Sequence, residues 1–275
     1  GTGCDTTLAQ VAAECLGCEL DDIVVFGADT DISPYDSGSY ASSTAYLTGT
    51  AVVKTCEALK EKILHKAAKY LETGVEELEF DGKRVYKLAC GEDGTKKEIS
   101  IKDLANRVQC ANEDALQVTQ SHSSPISPPP FMAGAAEVEV DLETGQVELI
   151  KFAAAVDCGT PLNENLARVQ TEGGLVQGIG MALYEDVSYS KDGKVHENSF
   201  MQYKVPSRLD VGRVQVEFES SFEPTGPFGA KSIGEVVINT PSPAIANAVY
   251  NAVGVRIREL PITAEKVFKG MNGLD

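Results

Sequence analysis

Glu137-Val-Glu-Val-Asp-Leu-Glu-Thr-Gly-Gln-Val-Glu-Leu-Ile150 is the stretch that decides the fold class. Apolar and polar residues alternate strictly on either side of Thr144-Gly145, and successive side chains of a strand point to opposite faces. The pattern predicts two half-buried strands joined by a tight turn, a hairpin with one face on a core. Outward from it the apolar spacing becomes helical: Leu166–Tyr184, Pro243–Val253 and Ala264–Met271 read as helices, with strands at Val214–Phe218 and Val255–Leu260. Earlier in the chain, helices are predicted at Asp5–Leu16, Ala41–Leu71 and Ile101–Val108, the last capped by Ser100. Ile23–Phe26 reads as a short buried strand, and Leu78–Tyr86 as a hairpin turning at Asp81-Gly82.

These elements show no regular βαβ alternation and no short-period repeat. The expectation is an α+β fold, two similar halves of mixed β-sheet with helices packed on them. Ser121–Pro130 holds four prolines and four serines, too many for regular structure, and leads into the apolar pair Phe131-Met132. It is read as an ordered crossing segment that divides a single domain, 1–275, into lobes at roughly 1–120 and 131–275.

Composition excludes several classes of function. A net charge of −17 argues against binding a nucleic-acid backbone or an anionic membrane. No apolar run reaches the ~18 residues that span a bilayer, and no secretory apolar region is present. Seven cysteines, an odd number spread thinly, read as reduced thiols of a cytoplasmic protein. Cys15-Leu-Gly-Cys18 is formally a CxxC pair, but there is no second pair and His65, His122 and His196 lie far off in sequence, so no metal-ligating side chains are expected. The chain opens Gly1-Thr-Gly without an initiator methionine and is read as a piece of something larger.

Four polar or glycine-rich stretches can carry chemistry. Gly1-Thr-Gly-Cys-Asp-Thr6 precedes a helix, where free N–H groups can hold an anion. Ser37-Gly-Ser-Tyr-Ala-Ser-Ser-Thr44 sets five Ser/Thr hydroxyls at the start of the long helix. Gln170-Thr-Glu-Gly-Gly-Leu-Val-Gln-Gly-Ile-Gly180 puts four glycines into a helix, which points to close approach of a backbone or a ligand. Gly226-Pro-Phe-Gly-Ala-Lys-Ser-Ile-Gly-Glu235 ends a glycine- and proline-shaped loop on a carboxylate beside apolar Val236-Val-Ile238. A carboxylate held there would be partly desolvated, which makes Glu235 a candidate general base. Singly, each has an ordinary alternative: helix caps, tight helix packing, or a surface glutamate after a turn. A nucleotide-binding fingerprint is absent, since neither GxGxxG nor GxxxxGK[ST] occurs.

Together and in this order, the stretches resemble the second half of the molybdopterin-binding subunit of the xanthine dehydrogenase family, and the likeness covers essentially the whole chain. Gly1-Thr2-Gly3 looks like the family's Gly-Gln-Gly loop, and Ser39–Gly49 resembles its serine- and alanine-rich pterin-contacting helix start. Asp141–Gly145 and Asp157-Cys-Gly159 resemble its Glu-x-Asp-x-x-Thr-Gly hairpin and Asp-x-Gly turn. Gln170–Gly180 is similar to its Gln-x-Glu-Gly-x-x-x-Gln-Gly-x-Gly element, and the loop ending at Glu235 to its catalytic-glutamate loop.

The resemblance implies a molybdopterin cofactor, with its cytosine dinucleotide form as an option. It implies contacts from Gly1, Thr2, Gly3, Ser39, Tyr40, Ala41, Ser42, Ser43, Thr44 and Gln170. Thr2 departs from the family's glutamine, whose reach and second donor a hydroxyl lacks, leaving that contact to the backbone of Gly1 and Gly3. Glu235 is implied as the base in oxidative hydroxylation of an electron-poor carbon of an N-heterocycle or aldehyde. Phe228, Gly229 and Ala230 are implied as the substrate loop, and the pterin rather than any side chain holds the metal. Implied partners are the first half of the subunit, iron–sulfur and FAD modules, and a small-molecule substrate; this chain alone is expected to be inactive. The rival readings are a 4-hydroxybenzoyl-CoA reductase-like or aldehyde-oxidising member of the family, and a non-catalytic assembly module.

Overall fold

The computed structural model describes residues 2–27, 29–90 and 96–274, and it separates into two units, each with its own core. The first unit comprises Gly1–Ser127 with Pro224–Ala230, the second Pro128–Glu223 with Lys231–Asp275. The sequence reading kept 131–275 together, whereas the chain returns to the first unit for Pro224–Ala230.

In the first unit, α1 (Cys4–Leu16) buries Ala9, Val11 and Ala13 and stops at Gly17, whose left-handed φ of 73° lets its N–H close on the Ala13 carbonyl. The long helix α2 (Gly49–Leu71) buries Cys56, Ile63, Ala67 and Leu71. Strands β1 (Leu78–Phe80), β2 (Arg84–Lys87) and β3 (Glu98–Ser100) form an antiparallel sheet in that order, with the predicted turn at Asp81-Gly82. α3 (Ile101–Cys110) is capped as expected, the Ser100 hydroxyl accepting from the Asp103 N–H. Ile63, Ala67, Leu71, Val85, Ile99, Leu104 and Val108 close this core. Beyond α3, Glu113 receives hydrogen bonds from Lys66, Lys69 and the Tyr70 hydroxyl. The Lys66 and Lys69 contacts hold its carboxyl down to about 2, well below the usual range.

Two expectations fail here. Ile23–Phe26 is no strand; it is extended chain without a sheet partner among the described residues, with Val24 75% and Phe26 68% exposed. An apolar run this short carries no periodicity to distinguish a buried strand from an exposed contact segment. The long helix also begins later than Ala41, because Ala41 and Ser42 are left-handed and Thr44–Thr48 forms a π-helical turn before α2.

In the second unit, β4 (Phe131–Val140) and β5 (Val147–Asp157) extend the predicted hairpin, pairing from Phe131↔Asp157 to Val140↔Val147 with a bulge at Glu137/Val138. β6 (Arg213–Phe218) joins β5 in parallel, so this sheet is mixed while the first is antiparallel throughout. α4 (Glu164–Leu183), α5 (Pro241–Val253) and α6 (Ala264–Asn272) cover the face that carries Phe152, Ala154, Val156 and Val216. Leu175, Ile179, Ile245, Val249 and Val267 complete the core without exposure, each such side chain contributing about 1.5–3 kcal/mol by its burial. Val255–Leu260 is not a strand; it alternates like one but has no strand beside it among the described residues. The fold is α+β. Among the described residues no helix is long and apolar enough to cross a membrane.

Candidate active site

α4 forms the floor of a cleft of about 400 Å³ in the second unit, lined by Val169, Gln170, Gly173, Gly174, Gln177, Gly234, Glu235 and Ile238. The helix starts at Asn163, whose side-chain oxygen accepts from the Leu166 N–H. Its glycines serve different purposes. A Cβ on Gly174 would stand 2.1 Å from Val237 Cγ2, and one on Gly178 2.7 Å from Pro241 Cγ, so both are small because neighbours pack against them. Gly173 faces the cleft, and a Cβ there would meet nothing within 4 Å.

Glu235 reaches this cleft through two anchors. Upstream, the Lys231 N–H donates to the Cys158 carbonyl at 2.8 Å, and its ammonium meets Asp157 at 2.7 Å with both side chains largely buried. Asp157 also accepts from the Ser221 hydroxyl and the Gly159 N–H. Burial works to raise the Asp157 carboxyl, but hydrogen bonds from Lys231, Ser221 and Gly159 outweigh it and hold the group below its usual range. Downstream, Val236–Ile238 form a 3₁₀ turn that drives Val237 into the core against Gly174. Glu235 sits at the start of that turn and is exposed along the cleft. This corrects the expected desolvation: Glu235 is exposed, and of the apolar residues after it Val237 turns into the core while Ile238 lines the cleft. The case for Glu235 as a proton acceptor rests on where it stands.

Gln170 lies on the same floor, one side of the glycine pair, half-buried. The other predicted residues belong to the first unit. Gly1 lies outside the described residues. Thr2 is exposed, and Gly3 precedes α1 in a left-handed conformation (φ 77°) without a side-chain cap. Ser39 and Thr44 hydrogen-bond through their hydroxyls, and Tyr40 is 60% exposed. Between them Ala41 (φ 48°) and Ser42 (φ 54°) are consecutive left-handed residues with side chains, followed by Ser43 and the π-helical turn. Each such residue costs on the order of 1–3 kcal/mol, a strain that collects at ligand clamps and switches. Phe228 (φ 52°) shares that conformation with Gly229 (φ 85°), while Pro227, Gly229 and Ala230 are buried. Tyr46 holds this loop to the first unit by a 2.8 Å bond to Thr225, and Pro227 packs where Gly49 lacks a side chain.

Sequence reasoning passed over two features. Gln177 was inside a quoted motif, and its spacing of seven from Gln170 was the signal that both share one helix face. The Lys231–Asp157 pair spans 74 residues and left no local signal. Cys15, Cys18 and Cys56 have thiols pushed up by burial, Cys56 to about 11, which keeps them protonated. Among the described residues no group of His, Cys, Asp or Glu is arranged to hold a metal.

The donor set fits a flat polar cofactor or substrate. Gln170 and Gln177 each offer two N–H donors and a carbonyl acceptor, Gly173 offers bare backbone, and Glu235 can take a proton.

The pattern of the molybdopterin cofactor-binding domain matches residues 1–212. The probable hypoxanthine oxidase of Escherichia coli K12 is 36% identical over 273 residues, covering 98% of this chain and 28% of that protein. The gamma subunit of the 6-hydroxypseudooxynicotine dehydrogenase complex of Paenarthrobacter nicotinovorans is 32% identical, covering 100% and 35% respectively. Reconstituted CO dehydrogenase from Oligotropha carboxidovorans superposes with a TM-score of 0.86 at 29% identity, covering 99% of this chain and 34% of that one. The chain thus spans about a third of the length of the relatives it matches. It belongs to the molybdopterin cofactor-binding domain family, within the molybdopterin-binding subunits of xanthine dehydrogenase-like oxidoreductases.

Proposed function

We propose that this chain contributes the proton acceptor and part of the cofactor cradle of a molybdenum hydroxylase that oxidises an electron-poor carbon of an N-heterocycle or aldehyde. The observation that supports it most is the cleft in which Glu235 stands over the glycine floor of α4, flanked by two amides. When bound, the molybdenum–pterin group supplies the two-electron redox step. Glu235 takes the proton released as the new carbon–oxygen bond forms, on a carboxylate oxygen held by the Lys231 anchor before it and the Val237 plug after it. Gln170 orients pterin or substrate through its amide. In the first unit, Gly3 at the start of α1 and the Ser39–Thr44 segment, with Tyr40, Ala41, Ser42 and Ser43, are assigned to hydrogen bonds with the cofactor, and Thr2 to a single hydroxyl contact. Strain at Ala41 and Ser42 supports that assignment. Phe228, Gly229 and Ala230 are assigned to the substrate loop. Gly1 keeps its backbone role as a proposal from the motif alone.

The remainder of a longer subunit, with iron–sulfur and FAD modules to carry electrons away, completes the enzyme in this reading. The cofactor is the mononucleotide or the cytosine dinucleotide form, the protein works in the cytoplasm, and this chain alone hydroxylates nothing. Metal and pterin analysis of the intact protein, with assays on purines, other N-heterocycles and aldehydes, tests the reading. Stoichiometric molybdenum with turnover of one substrate class supports it. Protein without molybdenum overturns it in favour of an assembly module, and reduction of an aromatic thioester in place of hydroxylation overturns the reaction assigned.

A further inference from the structure

α4 presents Gln170, Gly173, Gly174 and Gln177 to the cleft, and residues three, four and seven apart share one helix face. At a rise of ~1.5 Å per residue the two glutamines start ~10 Å apart along the axis, with Gly173 and Gly174 between them on that face. Gly174 is explained by Val237, which fills the space its side chain would need. Gly173 has no such explanation among the described residues, because a Cβ there would meet none of their atoms within 4 Å. Glycine in a helix interior nevertheless gives up ~1 kcal/mol against alanine. Gln177 is exposed at the far end of this stretch. An exposed helical glutamine is ordinarily a solvated side chain. Here it lines one cleft with Gly173, Gly174, the Gln170 amide, Glu235 and the apolar Val169 and Ile238, one helix turn beyond the glycine pair. A cleft so lined accepts a flat ring face-down on Gly173, and the Gln177 amide pairs donor and acceptor with the ring's polar edge.

The geometry points to a substrate subsite made by Gly173 and Gln177: a planar N-heterocycle lies over Gly173, and the Gln177 amide hydrogen-bonds its distal ring nitrogen or carbonyl. Gln177 thereby selects N-heterocycles over aldehydes, which have no such edge. The assignment rests on the reading of Glu235 as proton acceptor, because the ring must present its reacting carbon to that carboxylate.

The test uses the intact, molybdenum-loaded enzyme with hypoxanthine as the heterocyclic probe and benzaldehyde as the edge-free one. Removing the amide in Gln177→Leu is expected to lower the kcat/KM ratio of hypoxanthine to benzaldehyde ~10-fold or more, chiefly through KM, as for one buried hydrogen bond lost. Gly173→Ala is expected to lower the same ratio while leaving the melting temperature unchanged or raised, since the methyl meets no atom of the chain and favours the helix. Molybdenum content, measured in both variants, is expected to equal the parent's. An unchanged ratio in both variants overturns the subsite. A parent enzyme that oxidises aldehydes but no N-heterocycle overturns the subsite and leaves Glu235 standing, whereas an enzyme without molybdenum overturns both.

Discussion

Gly174→Ala asks whether the packing of α4 sets the position of Glu235. The added Cβ would stand 2.1 Å from Val237 Cγ2 and 3.0 Å from Val237 Cβ, whereas carbon atoms rest ~3.5–4.0 Å apart. Val237 therefore has to move by ~1.4 Å or more. It has no exposure, so the 3₁₀ turn Val236–Ile238 is expected to shift and carry Glu235 with it. Overpacking costs ~1–3 kcal/mol, and alanine returns ~1 kcal/mol of helix propensity. The net loss of roughly 0–2 kcal/mol corresponds to a melting temperature lowered by at most ~8 °C in a chain of this size. Catalysis is more sensitive than stability, because a misplacement of ~1 Å can cost ~10²-fold in rate. The expected outcome is a ~100-fold fall in kcat with the fold and molybdenum content retained, read by steady-state kinetics beside a thermal melt. Trimming the obstructing side chain in Gly174→Ala/Val237→Ala is expected to recover turnover more than stability. A kcat within about threefold of the parent in Gly174→Ala would refute the idea that Val237 locks the carboxylate.

Lys231→Met strands the Asp157 carboxylate against its remaining donors and is expected to lower the melting temperature clearly. The loss stays below the ~3–5 kcal/mol of a fully buried pair, since both side chains keep some exposure. Glu113 binds its proton more weakly folded (about 2) than unfolded (near 4.5), so the unfolded state holds more protons between these values. Its contribution to stability is present above that window and lost as pH falls through it. Glu113→Gln should flatten the acid limb of a melting-temperature–pH curve and change nothing near neutral pH beyond a constant offset. Gln170→Ala is expected to lower molybdenum content or slow reduction of the centre without unfolding, by the ~1–3 kcal/mol of one lost hydrogen bond. Elemental analysis and stopped-flow reduction check it, and unchanged values of both would contradict the role.

Helices and hairpins with strong periodicity were legible: the alternation around Thr144-Gly145 became β4 and β5, and Ser100 capped α3 as its position suggested. Segments whose state depends on distant partners were not. Ile23–Phe26 and Val255–Leu260 have strand-like composition, but a strand exists only where another lies alongside, and none does among the described residues. The delayed start of α2 arises from left-handed Ala41 and Ser42, conformations that the identities of alanine and serine do not announce. At the cleft, the glycines of α4 signalled close approach correctly, yet which of them face protein and which face the cleft depends on Val237 and Pro241, about sixty residues away in sequence. The exposure of Glu235 goes with the same packing: Val237, which the sequence places among its apolar surroundings, is turned into the core and leaves Ile238 beside it at the cleft.

Glu235→Gln in the intact, molybdenum-loaded enzyme tests the central claim most directly. The substitution keeps the shape of the side chain and removes its capacity to take a proton. Turnover should fall by ~10²–10⁴-fold, the range of general acid–base catalysis, while molybdenum content and substrate binding stay at parent levels. Near-parent turnover with the cofactor bound would contradict the account.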